Sequence, residues 1–245
     1  MIPVQIEVLG SPTAQINKCE RMRGDIASAP DDAARIQRAL EVIANLDVVR
    51  RAWPKATDAI VDAALMQYDI AMEFNMPRNA VDALAAALPS VEKSRHEPRL
   101  EYRLGAAYEA AGDLSAAESH YHAAEKSAHF KLVDRIEADD ALQHIAMFYA
   151  RQNKPRESLK RFRAAADLDG QSPTLKVLHR FAALKEAVRL SDDAGRDEAK
   201  REAQALRDAI KDAKDKTKNK RSSSDAVMLT DVERDMQRVL SEVGL

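Results

Sequence analysis

Between Pro98 and Phe130 the apolar positions recur at helical spacing on both sides of a Gly112-Asp113 turn. Leu104, Tyr108, Leu114, Ala117, Tyr121 and Ala124 form one stripe. The small residues Gly105, Ala117 and Ala124 fall where two paired helices must touch. A two-helix unit this short cannot bury such a stripe alone, so it needs stacked neighbours. The pattern predicts an all-α chain of antiparallel helix pairs.

The same period predicts helices along most of the chain. Ser11-Pro12 opens one that runs to about Ala29, with Ile16, Cys19, Met22 and Ile26 inward. Pro30-Asp31-Asp32 opens a second, with Ile36, Leu40, Ile43 and Leu46 on its inner side, ending near Trp53-Pro54. Further helices are expected over 55–74, 78–91, 133–151, 156–168 and 174–190, the last with Ser172 as N-cap. From 191 to 221 only Leu206 and Ile210 are large and apolar, which reads as a charged surface helix. A terminal amphipathic helix is expected from Thr230, with a capping box closed by Glu233 and an apolar face of Val232, Met236, Val239, Leu240 and Val243.

One segment breaks the helical period. Ile2, Val4, Ile6 and Val8 alternate with polar residues, a strand pattern with nothing in the chain to pair with. It reads as an extended arm over residues 1–10. Residues 11–190 then form a helical-repeat domain, clearest at 98–131 and 139–172, and 191–245 hold the charged helix, a flexible linker and the terminal helix. The unpaired arm and the terminal apolar face both point to contacts beyond one chain, such as a homo-oligomer.

Composition narrows the class. Of 245 residues 45% are hydrophobic and 32% charged, which excludes general disorder. Aromatics at 4% and seven glycines argue against sandwiches and barrels. A net charge of −2 supports no global attraction to nucleic acid or membrane. No stretch has the length of a membrane helix and no signal peptide is visible, so a cytoplasmic protein is expected. The single cysteine, Cys19, excludes an internal disulfide.

The opening pattern returns. Shifted by 41 residues, Leu104, Gly105, Tyr108, Gly112, Ala117, Tyr121 and Ala124 map to Ile145, Ala146, Tyr149, Asn153, Ser158, Phe162 and Ala165. A shift of 37 upstream gives a weaker copy through Asn75, Ala80, Leu84 and Ala87. At these residues the chain resembles the tetratricopeptide repeat (TPR) family, whose pattern is W-x2-L-G-x2-Y, then A-x3-F, then P over 34 residues. Glu101 and Leu142 stand in place of the Trp, and His129 and Gly170 in place of the terminal Pro. The resemblance implies a right-handed array of stacked pairs acting as a protein-interaction scaffold, its concave face lined by exposed residues of each first helix. By position these are Arg99, Tyr102, Ala106 and Glu109, then Asp140, Gln143, Met147 and Arg151. Tyr102 and Ala106 replace the lysine and asparagine that some members use to clamp acidic chaperone tails, which argues against that role.

Candidate chemistry is sparse. Glu118, His122, Glu125 and His129 share one helix face and could ligate a metal, yet that face is expected to be polar in any case. No nucleophile motif, phosphate-binding loop or dinucleotide fingerprint is present, so no cofactor is expected and a metal-dependent repeat enzyme is the least favoured reading. The basic run Lys211–Arg221 is the alternative site, for nucleic acid or an acidic partner, but it lacks interleaved aromatics and is interrupted by Asp212 and Asp215.

Overall fold

The computed structural model describes residues 6–127, 130, 133–190, 192–217 and 223–245. These hold eleven α-helices and no strand, in two compact units, Met1–Val133 and Asp134–Leu245. The first unit contains α1 (Pro12–Gly24), α2 (Asp32–Ala52), α3 (Thr57–Glu73), α4 (Pro77–Ala87), α5 (Glu97–Ala110) and α6 (Leu114–Lys126). The second contains α7 (Arg135–Arg151), α8 (Pro155–Ala166), α9 (Pro173–Val188), α10 (Asp193–Thr217) and α11 (Ser223–Glu242). Successive helices pack as antiparallel pairs within each unit.

Turn chemistry explains where the pairs close. Asn75, Gly112 and Asn153 all have positive φ, at 54°, 84° and 53°. In each case the next residue's N–H reaches back over the helix end: Met76 to Ala71 O, Asp113 to Tyr108 O, and Lys154 to Tyr149 O, at 2.7, 2.9 and 2.9 Å. This left-handed stop suits glycine and asparagine. It recurs at the two spacings seen in the sequence, so the three turns mark one repeated unit.

In the first unit, Cys19, Ala39, Val42, Leu46, Val49 and Ile70 form one core cluster. A second holds Ile60, Ala64, Tyr68, Ala71, Ala80, Leu84, Leu100 and Leu104. Ser11 caps α1 and Asp31 caps α2, as the sequence indicates. The inner face of α2 is rotated from the expected one. Leu46 is buried and Ile43 is partly buried against both clusters as expected, but Ile36 and Leu40 are exposed, and Ala39, Val42 and Val49 complete the buried side. Two apolar stripes compete on this helix, and the one with alanine lets α1 and α3 approach more closely. Leu114, placed in the opening stripe, is also exposed. Burial pushes the Cys19 thiol up to about 11, which keeps it protonated and unreactive at neutral pH.

Most of the N-terminal strand pattern, residues 1–5, lies outside the described residues, and residues 6–9 have no regular structure. They are tied to the helices instead. The Leu9 N–H donates to Gln15 Oε1 at 3.1 Å, Gln15 Nε2 donates to Asn45 O at 3.3 Å, and Lys18 pairs with Glu7 at 3.5 Å.

The second unit corrects two expectations. α10 is not a surface helix: Ala199, Ala203, Leu206, Ala209, Ile210 and Ala213 make a buried stripe against α9. Alanines at helical spacing allow close contact without large side chains, so counting only large apolar residues misses the face. α11 begins at Ser223, not at Thr230, and the Thr230 hydroxyl donates to Ala226 O at 3.0 Å inside the helix. Ser172 stands at the N-cap of α9 but makes no side-chain cap bond. α11 lies on α9 and α10 and buries Leu229, Val232, Met236 and Leu240, each stabilising by on the order of 1.5–3 kcal/mol.

At the position of Ala117 in the better-preserved repeat stands Ser158, fully buried, its Oγ without a hydrogen-bond partner among the described residues. An unpaired buried hydroxyl costs free energy. Ser158→Ala is therefore expected to raise stability by about 1 kcal/mol, measured as a higher urea midpoint at unchanged slope; a lower midpoint would contradict it.

Candidate functional site

The candidate positions lie on the first helix of two pairs, α5 and α7. On α5 the expected groove is largely closed. Tyr102 is only 5% exposed and Ala106 is buried, so Arg99 and Glu109 alone keep partial exposure. The Arg103 guanidinium lies 5.1 Å from the Tyr102 ring centre and 5.3 Å from that of Tyr68. Glu109 accepts a hydrogen bond of 3.0 Å from the Tyr121 hydroxyl. Burial first, then the Glu109 carboxylate, hold that phenol far above its ordinary range.

α3 contributes a different surface. All its exposed residues are acidic: Asp58, Asp62, Asp69 and Glu73, which fall on one side at helical spacing. At its first turn a cleft of about 660 Å³ opens against α1, lined among others by Thr13, Asn17, Glu20, Lys55, Asp58 and Asp62. His96 hydrogen-bonds Asp58 at 2.7 Å, and with Arg95 at 3.6 Å it holds the Asp58 carboxyl below its usual range. This side repels phosphate rather than attracting it.

On α7 the expected residues are open. Asp140, Gln143, Met147 and Arg151 are exposed and share one stripe with Ile136. Sequence reasoning missed the adjoining surface, on α9. There Leu178 and Lys185 are exposed and Phe181 is half-buried, with the Lys185 ammonium 4.9 Å from the Phe181 ring centre. Two cross-links set α7 beside α9. His179 Nε2 hydrogen-bonds the buried Asp139 carboxylate at 2.7 Å, and Arg189 reaches Ala150 O at 3.4 Å. The bonded residues are 40 and 39 apart in sequence, at opposite ends of the helices, so the two run parallel and nearly in step. Met147 therefore falls within one helical turn of Lys185, and Asp140 within one turn of Leu178. Gln171 completes the buried junction by donating to Asp139 at 2.5 Å and to Ala165 O at 3.0 Å.

No protein-family model and no curated protein sequence matches this chain. A solved structure of nearly identical TPR-like repeats does, from a Podosopora anserina protein described as a kinesin light chain. It aligns over 87% of this chain and 100% of that one, at 12% identity and a TM-score of 0.57. The chain has a TPR-like helical-repeat fold. At that identity the likeness speaks for the fold alone, and the site must be argued from its own side chains.

The other candidate sites fare as follows. His122 stands 3.8 Å from Glu125, while His129 lies outside the described residues. Among the described residues no three His, Cys, Asp or Glu side chains are gathered as metal ligands. A different histidine is engaged: His120 stacks on Tyr108, with ring centres 5.2 Å apart, and bonds Glu101 at 2.7 Å. Glu101 occupies the TPR-like tryptophan position, and a carboxylate at an inward position was the signal that a polar partner must lie nearby. In the basic run, Lys214 pairs with Glu233 and Lys216 with Asp212, at 2.7 and 2.9 Å, and residues 218–222 lie outside the described part. No described helix is long and apolar enough to cross a membrane.

Proposed function

We propose that this TPR-like chain is a non-catalytic scaffold that holds a protein or peptide partner on the exposed faces of first helices, chiefly α7 and α9. One observation carries the reading. Ile136, Met147 and Leu178 are 70%, 44% and 40% exposed, and all three lie on these two side-by-side helices. Large apolar side chains gathered on one outer surface mark a docking surface more often than chance exposure does. The acidic side of α3 and the ion-paired lysines of α10 favour a protein over a nucleic acid.

The test is a photo-crosslinking amino acid placed at Gln143 and, as a control, at the exposed Lys160 on α8. Adducts with a discrete protein are expected from position 143 and not from 160, and Met147→Asp with Leu178→Asp should remove them while leaving helical circular dichroism unchanged. Equal labelling from both positions, or adducts that survive the double substitution, would refute the proposal.

A further inference from the structure

On that reading of the α7–α9 face, we infer the chemistry of what it holds: a protein segment that presents an aliphatic side chain and, about three residues further along an extended backbone, a carboxylate.

The charges on the face decide this. Arg189 is committed, donating to Glu186 at 2.8 Å, to Asn153 Oδ1 at 2.9 Å and to Ala150 O. Those bonds also occupy Glu186. Lys185 differs. Its ammonium rests over the Phe181 ring, and among the described residues no carboxylate stands within ion-pairing distance of it. The ring holds the long side chain along the surface, so part of the ordering cost of an ion pair with a partner is met before binding.

Spacing follows from helix geometry. Leu178 and Lys185 are seven residues apart on α9, roughly 10 Å along the helix axis. An extended chain covers that distance in about three residues. An aliphatic group over Leu178 and Phe181 would then place the acid beside Lys185 and Met147. The exposed amide of Gln143, on the facing stripe of α7, can bond the intervening peptide backbone.

The experiment is selection of random twelve-residue peptides displayed on phage against the full-length protein, repeated against Lys185→Glu and Leu178→Ser. Enrichment of an aliphatic residue followed three positions later by Asp or Glu is expected. The best such peptide, by fluorescence anisotropy, should bind Lys185→Glu at least tenfold more weakly and regain affinity when its acid is changed to Lys. Peptides that depend on Leu178 but show no acidic enrichment and ignore Lys185→Glu would overturn this inference and leave the scaffold reading standing. Peptides indifferent to both substitutions, or none enriched, would overturn the scaffold reading of this face as well. Basic enrichment would refute the charge assignment outright.

Discussion

Gly105→Ala is expected to destabilise the protein by about 2 kcal/mol, although alanine is the better helix former by ~0.5–1 kcal/mol. A Cβ at this position would stand 2.6 and 2.7 Å from the Tyr121 ring carbons Cδ1 and Cε1. The ring cannot swing aside, because it is fully buried and its hydroxyl is held by Glu109. The helices α5 and α6 would have to separate, which opens contacts around Leu104, Ala117 and Ala124. Urea titration of the single variant checks the size of the loss. A second variant checks its cause: Tyr121→Leu alone should also destabilise, but Gly105→Ala combined with it should cost clearly less than the sum, because the clash is then gone. Strict additivity would show that the glycine matters for some other reason.

Arg163→Ala is expected to loosen α10 by roughly 2 kcal/mol, below the cost of breaking a fully buried pair because the arginine is partly exposed. Arg163 on α8 donates from Nε to Glu202 at 2.5 Å and pairs through Nη2 with Glu198. Glu202 is nearly buried and also meets Arg180 at 3.3 Å, while Arg180 pairs with Asp167 at 2.5 Å. Removing Arg163 leaves the Glu202 carboxylate short of a partner inside the α8–α9–α10 packing. Hydrogen exchange should report faster opening across α10 with α5 and α6 unaffected; uniform protection in the variant would contradict this.

The same network fixes a direction with pH. The Arg163 guanidinium holds the Glu198 carboxyl below its ordinary value of 4.5. A depressed acid contributes stability that is complete above that ordinary value and is lost as pH falls through the lowered one. Wild-type protein should therefore lose stability as pH drops below about 4.5, and Arg163→Ala should lose less over that interval.

Much of the fold is legible along the chain because its signals are local. Asn75, Gly112 and Asn153 announce themselves, since a left-handed residue at a helix end favours only glycine and asparagine. Gly105 and Tyr121 belong to a recurring small–aromatic pattern for a steric reason that the 2.6 Å approach makes plain. The misses have physical causes too. α2 offers two apolar stripes, and only its neighbours choose between them. α10 hides its inner face in alanines, and its buried-side glutamates, Glu198 and Glu202, lie 35 and 39 residues from their partner Arg163 in sequence.

The candidate site divides along the same line. The α7 residues Asp140, Gln143 and Met147 follow from repeat spacing and are exposed, but the same reasoning placed Tyr102 on an open surface, where it is buried beside Arg103. Leu178 and Lys185 could not be reached that way, because a further shift of 40 residues puts Glu186 and Arg189 where Ala146 and Tyr149 stand, so the small and aromatic marks are lost.

By itself the sequence determines the helices, their pairing turns and the all-α repeat class, because helical period and turn stereochemistry act over a few residues. Only the tertiary structure decides which stripe of α2 turns inward, that α7 and α9 stand in step, and that Lys185 faces outward while Arg189 is spent on its neighbours. Those outcomes depend on distances between side chains some forty residues apart, which no local pattern encodes.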